Sequence, residues 1–81
     1  MTEKTVRVAN SLDTRNAALF VQAVGKYQSS VKLHSDNKTI NAKSIMGVIA
    51  MSLMEGDEVT VTAEGGDEAL ALEALCKFLA G

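Results

Sequence analysis

The chain has 81 residues, with eight Lys and Arg against ten Asp and Glu and a formal net charge of −2. That length predicts one domain, residues 1–81, which buries roughly 60% of its unfolded surface in a thin core and leaves no room for a deeply enclosed active site. The 47% hydrophobic content excludes a disordered tail, and the mild acidity excludes the basic footprint of nucleic-acid binding.

Cys76 is the single cysteine, so no internal disulfide forms and the cytoplasm is the expected compartment. No apolar run of about 18 residues spans a membrane, and no charged-then-apolar leader opens the chain. Charge is divided along the sequence. Residues 1–44 hold seven cations and three acids (+4), whereas residues 45–81 hold Lys77 and seven acids (−6). A solvated surface of mixed sign accounts for this, as does a basic face for an acidic partner.

Thr5-Val6-Arg7-Val8-Ala9 alternates and predicts a half-buried strand. From Asp13 the period changes. Ala17, Phe20, Val21 and Val24 fall at i, i+3, i+4 and i+7, one face of a helix that ends near Gly25. Val31 and Leu33, then Ile40, lie in short runs joined by Ser35-Asp36-Asn37-Lys38, a hairpin whose Asp-Asn pair tolerates positive φ. The apolar run 44–54 is consistent with a strand on composition. Ser44 before it, its length and Gly56 after it favour a helix. Residues 58–63 alternate as a fourth strand. Asp67 or a neighbour caps a last helix with Leu72, Leu75, Cys76 and Leu79 on its inner face. The order β-α-β-β-α-β-α predicts an α+β fold: a two-layer open-faced sandwich, with an antiparallel four-stranded sheet covered on one side by three helices.

No phosphate-binding glycine loop is present, and one His with one Cys far apart supplies no metal ligand set. No cofactor is expected. His34 reads as a surface strand residue and Cys76 as core. Two helix starts are more informative. Asp13 is an N-cap, explained by its hydrogen bonding and by the positive helix end. Arg15 is a cation in the first turn, where the dipole disfavours it by a few tenths of a kcal/mol. An ion pair with Asp13 or an anion on a partner would compensate. Ser44 is also an N-cap candidate, flanked by Lys43, at a place where a phosphoryl group is accommodated with little refolding. The helix after it is too apolar for one buried face. With Val48, Met51 and Leu53 inward, Ile45, Met46 and Ile49 remain as an exposed patch. It is read as a protein-binding surface, against the simpler alternative that small domains expose some apolar atoms.

These residues carry a family resemblance. Asn41 through Val48 (Asn-Ala-Lys-Ser-Ile-Met-Gly-Val) resembles the regulatory-serine segment of HPr, the phosphocarrier of the sugar phosphotransferase system. Residues 17–22 resemble its first helix, and residues 63–69 its final loop and helix start. The family's active site reads Gly-[Ile/Leu]-His-Ala-Arg-Pro-Ala. The aligned residues here are Ser11-Leu12-Asp13-Thr14-Arg15-Asn16-Ala17. Asp13 replaces the phosphoryl-accepting histidine and Asn16 the proline.

The pattern is similar to catabolite-repression HPr proteins, which lack that histidine and keep the serine, although with Asp rather than their usual Gln. The resemblance implies a non-enzymatic regulatory protein with Ser44 phosphorylated by HPr kinase/phosphorylase. The phosphoserine form would bind a catabolite-control repressor through Arg15, Ile45, Met46 and Ile49, beside Lys43. No direct nucleic-acid or membrane contact is implied. Phosphoryl transfer through an acyl phosphate on Asp13, or a diverged binding partner, are the alternatives.

Overall fold

The computed structural model describes residues 1–81. Its elements are β1 (Thr2–Arg7), α1 (Thr14–Val24), β2 (Ser30–Ser35), β3 (Lys38–Asn41), α2 (Ile45–Met51), β4 (Glu58–Glu64) and α3 (Glu68–Ala80). The strands form one antiparallel sheet in the order β1-β4-β2-β3. Because β1 and β2 both run antiparallel to β4, the β1-α1-β2 connection crosses over the strand between them. The β3-α2-β4 connection crosses β2 in the same way. Both crossovers leave their helices on one face, as the expected open-faced sandwich requires.

The core follows from the two periodicities. Val31 and Leu33 of β2 and Val59, Val61 and Ala63 of β4 point to the helices, where they meet Ala17, Phe20 and Val24 of α1 and Ala71, Leu72, Leu75, Cys76 and Leu79 of α3. The Phe20 and Phe78 rings pack edge-on, with centroids 5.5 Å apart. Burial pushes the Cys76 thiol pKa up, in keeping with a core side chain. The hairpin forms as expected, with Asp36 and Asn37 at φ 47° and 66° between the paired Ser35 and Lys38.

The opposite face of the sheet is polar. Thr5 and Thr60 share a hydrogen bond of 2.8 Å. His34 bridges Thr39 and Thr62 at 3.0 Å on either side. His34 is a strand residue on this uncovered face, as expected, and is half-buried by its neighbours.

Three local expectations are corrected. First, β1 covers Thr2–Arg7, earlier than the Thr5–Ala9 alternation indicates. Val8 leaves the sheet and exchanges backbone hydrogen bonds with Gly56 and Asp57 instead. Second, α2 ends at Met51 rather than near Gly56. Ser52 takes the left-handed conformation, φ 53°, and its N–H returns to the Ile49 carbonyl. Third, Asp67 stands at the N-cap position of α3 but makes no side-chain cap. Its carboxylate accepts from Gln28 N–H at 2.9 Å, from Ser29 N–H at 3.0 Å and from the Ser29 hydroxyl. The side chain thus joins α3 to the turn entering β2. Gly65 makes this approach possible. At φ 151° it lies against Ser29, where an added Cβ would sit 2.7 Å from Oγ.

Beside this clamp, Glu68 accepts from the Thr2 hydroxyl and from Gly65 N–H, and pairs with the terminal amine at 3.3 Å. Hydrogen bonds from Ser29 and Gln28 hold Asp67 below its ordinary pKa of 3.8. The Thr2 hydroxyl and Gly65 N–H hold Glu68 below its ordinary 4.5. A depressed native pKa contributes stability that is present above the unfolded value and is lost as pH falls through the native one. Melting curves are therefore expected to show a falling Tm as pH drops below 4.5. The advantage of the wild-type chain over Asp67→Asn should be present at neutral pH and should shrink on acidification. Gly65→Ala is expected to cost about 1–3 kcal/mol in denaturant unfolding, through the clash with Ser29 and the strained backbone.

Candidate functional site

Asp13 is placed by two loops strapped back to back. Leu12 N–H donates to the Leu53 carbonyl at 2.8 Å, and Gly56 N–H donates to the Val8 carbonyl at 2.7 Å. Glu55 N–H donates to the Ser11 hydroxyl at 3.0 Å. Leu12 is buried, so the turn before α1 is anchored from below, while Asp13 projects into solvent. Asp13 Oδ1 accepts from Asn16 N–H at 2.8 Å, the N-cap bond the sequence predicts.

The amide of Asn16, whose role was not foreseen, donates from Nδ2 to the Ser11 carbonyl at 2.9 Å. Asn16 therefore closes the loop through its side chain. The signal for this is only the polar residue itself, since the first turn of a helix tolerates asparagine for many reasons. Arg15 is exposed and forms no ion pair with Asp13, which removes the internal-pair explanation for it.

The second helix start is built alike. Ser44 Oγ accepts from Gly47 N–H at 3.1 Å, and Ser44 itself is exposed. Gly47 packs closely there; a Cβ would lie 3.4 Å from both Ile40 Cβ and Ser44 Oγ. Lys43 is tied on both ends. Its N–H donates to Asn41 Oδ1 at 2.9 Å, and its Nζ donates to the Tyr27 carbonyl at 3.1 Å.

Helix α2 turns Val48 and Met51 into the core. Ile45 is left 41% exposed and Met46 72% exposed. Ile49, expected in the exposed patch, is instead half-buried against the core and, with Asp13, Thr14 and Met54, lines an open depression of about 360 Å³ between the start of α1 and the end of α2. Met54, 57% exposed, is a further apolar residue at this rim that the sequence reading left inside the helix. No group of His, Cys, Asp or Glu side chains is disposed to hold a metal ion, and no helix is long and apolar enough to cross a membrane.

The site chemistry is therefore a carboxylate and a hydroxyl, each at a helix start, beside exposed aliphatic side chains. The family model described as PTS HPr component phosphorylation site matches residues 2–81. The chain belongs to the HPr family. Among its relatives, the HPr-like protein Crh of Bacillus subtilis (strain 168) is 46% identical over 74 residues, covering 91% of this chain and 87% of that protein. The phosphocarrier protein HPr of Treponema pallidum (strain Nichols) is 47% identical over 77 residues, covering 93% and 88%. Of solved structures, HPr-C-His from Thermoanaerobacter tengcongensis superposes with a TM-score of 0.93 at 42% identity, covering 98% of this chain and 91% of that one. This HPr family member is similar to Crh, and its four strands and three helices follow the HPr order.

Asp13→Ala is expected to destabilise the protein by about 1 kcal/mol, the usual value of a lost N-cap, with Asp13→Asn close to wild type. Chemical denaturation of the three proteins checks this. Equal losses for Ala and Asn would show that charge rather than the cap bond is responsible.

Proposed function

We propose that this HPr-like chain is a regulatory protein switched at Ser44 and acting by protein–protein contact in carbon catabolite regulation. In this reading, HPr kinase/phosphorylase transfers the γ-phosphoryl group of ATP to Ser44 Oγ. The hydroxyl proton is released and ADP leaves. The phosphoserine form then contacts a catabolite-control repressor through Arg15, Ile45, Met46 and Ile49, with Lys43 beside the modified residue.

The observation that carries the reading is the pairing of an exposed Ser44 with unburied Ile45 and Met46. A modifiable hydroxyl and an apolar contact surface occupy the same turn of backbone. A phosphoryl group adds about −1.5 to −2 charge and three acceptor oxygens there, enough to recruit a cationic partner. The apolar side chains supply contact area that exists before and after modification. Arg15, unpaired and in the first turn of α1, is available to an anion on the partner.

Position 13 supports the same reading from the other side. An imidazole nitrogen accepts a phosphoryl group as a neutral nucleophile. A carboxylate already committed to Asn16 N–H presents a negative charge to the donor. One observation favours a second reading, phosphoryl transfer through Asp13. Only Oδ1 is engaged by the cap, and Asp13 lines an open depression. An acyl phosphate formed there would be labile to hydroxylamine.

Incubation with ATP and HPr kinase/phosphorylase is expected to add one phosphoryl group by mass spectrometry, located on Ser44 and absent from Ser44→Ala. An unmodified chain under conditions that label a control HPr would overturn the proposal. Treatment with phosphoenolpyruvate and enzyme I of the sugar phosphotransferase system is expected to leave the chain unlabelled. A hydroxylamine-sensitive label lost in Asp13→Asn would establish the second reading instead.

A further inference from the structure

Lys43 immediately precedes Ser44, yet its single side-chain hydrogen bond goes elsewhere, from Nζ to the Tyr27 carbonyl. Tyr27 belongs to the turn between α1 and β2. That turn is held at its start by Tyr27 N–H on the Val24 carbonyl and at its end by Asp67, which accepts from Gln28 and Ser29. Lys43 is therefore the tether between the Ser44 segment and this turn.

The backbone beneath the lysine is fixed. Asn41 accepts Lys43 N–H through its side chain and Ser44 N–H through its carbonyl. Only the flexible, exposed four-carbon stem has to swing to redirect the ammonium. A neutral carbonyl is a weak competitor for that ammonium against a doubly ionised phosphoryl group one residue away, because the carbonyl offers only a dipole whereas the phosphoryl group adds direct attraction between opposite charges.

We propose that Lys43 is the built-in counter-charge of a modified Ser44. A phosphoryl group on Ser44 draws the Lys43 ammonium off the Tyr27 carbonyl, neutralises part of the new charge and leaves that carbonyl to solvent, while Asp67 still grips Gln28 and Ser29. The inference rests on Ser44 as the modified residue and adds a positioning role for Lys43 and a second responding segment. The state of Ser44 is then legible at the α1–β2 turn as well as at α2.

The test installs phosphoserine at position 44 during translation, with no kinase involved, in the full chain and in the full chain carrying Lys43→Met. In the chain that keeps Lys43, phosphoserine is expected to shift the amide resonances of Tyr27, Gln28 and Ser29. Lys43→Met alone is expected to move the same resonances in the same direction, and phosphoserine then to add no further change. The phosphorus-31 titration midpoint of the phosphoserine is expected to rise by several tenths of a pH unit on Lys43→Met, since the nearby cation favours the dianion. Lys43→Arg should preserve the lower midpoint. Unmoved turn resonances in the phosphoserine chain, or a midpoint indifferent to Lys43→Met, would overturn the inference and leave the proposed function standing. Failure of the kinase to label Ser44 would overturn the proposed function while these readouts remain valid.

Discussion

A helix lying on a sheet can bury only one side of its circumference, and α2 is apolar on more than one. Val48 and Met51 take the inner positions, so Ile45 and Met46 have nowhere to go but outward. Everything proposed for the contact surface depends on this constraint. The helix is only seven residues long and ends at a left-handed Ser52, so the surplus cannot be absorbed by a longer inner stripe. The missing Cβ at Gly47 lets the first turn of the helix lie close against Ile40 and Ser44. The modifiable hydroxyl and the exposed side chains then share one turn because the chain direction puts them there.

The loop hydrogen bonds bring the other half of the site alongside. Leu12 on Leu53 and Gly56 on Val8 join the segment that leads into α1 with the one that follows α2. Residues more than forty positions apart in the chain thus form a single rim. Asp13 is held at that rim by its cap bond and by Asn16, whose amide closes the loop onto Ser11. A carboxylate suits this cap, since it satisfies a free amide and complements the helix end.

Away from the rim, carboxylates at the start of α3 do structural work that their positions in the chain conceal. Asp67 holds the turn into β2 and Glu68 holds the start of β1, so α3 fastens the starts of both strands that flank β4. The turn that Asp67 grips is the one that Lys43 reaches from the other side. Any change at Ser44 that alters Lys43 therefore meets a segment anchored in the core. The uncovered face of the sheet carries a different economy. Its threonines and His34 satisfy one another by hydrogen bonds, leaving that face polar.

Local patterns make the element order, the hairpin with its Asp36-Asn37 turn, the inner faces of α1 and α3 and the outward Ile45 and Met46 of α2 readable from the sequence, whereas Ile49, expected outward, packs half-buried on the core. Periodicity and turn preference act over a few residues, and short-range order is what a sequence records directly. The resemblance in residues 41–48 added the family. Tertiary structure decided the rest. Asp67 or a neighbour as a cap is the local option; folding offers Asp67 three donors some forty residues away, and those satisfy more of its oxygens than the adjoining helix end could. Strand β1 begins earlier than its alternation because its partner β4 supplies the ladder, and α2 ends earlier than its apolar run because Leu53 is needed in the core. The destinations of Asn16 and Lys43, a carbonyl five residues back and one sixteen residues back, carry no local signature. A hydrogen bond between segments exists only once packing has fixed both, so no pattern within either segment announces it.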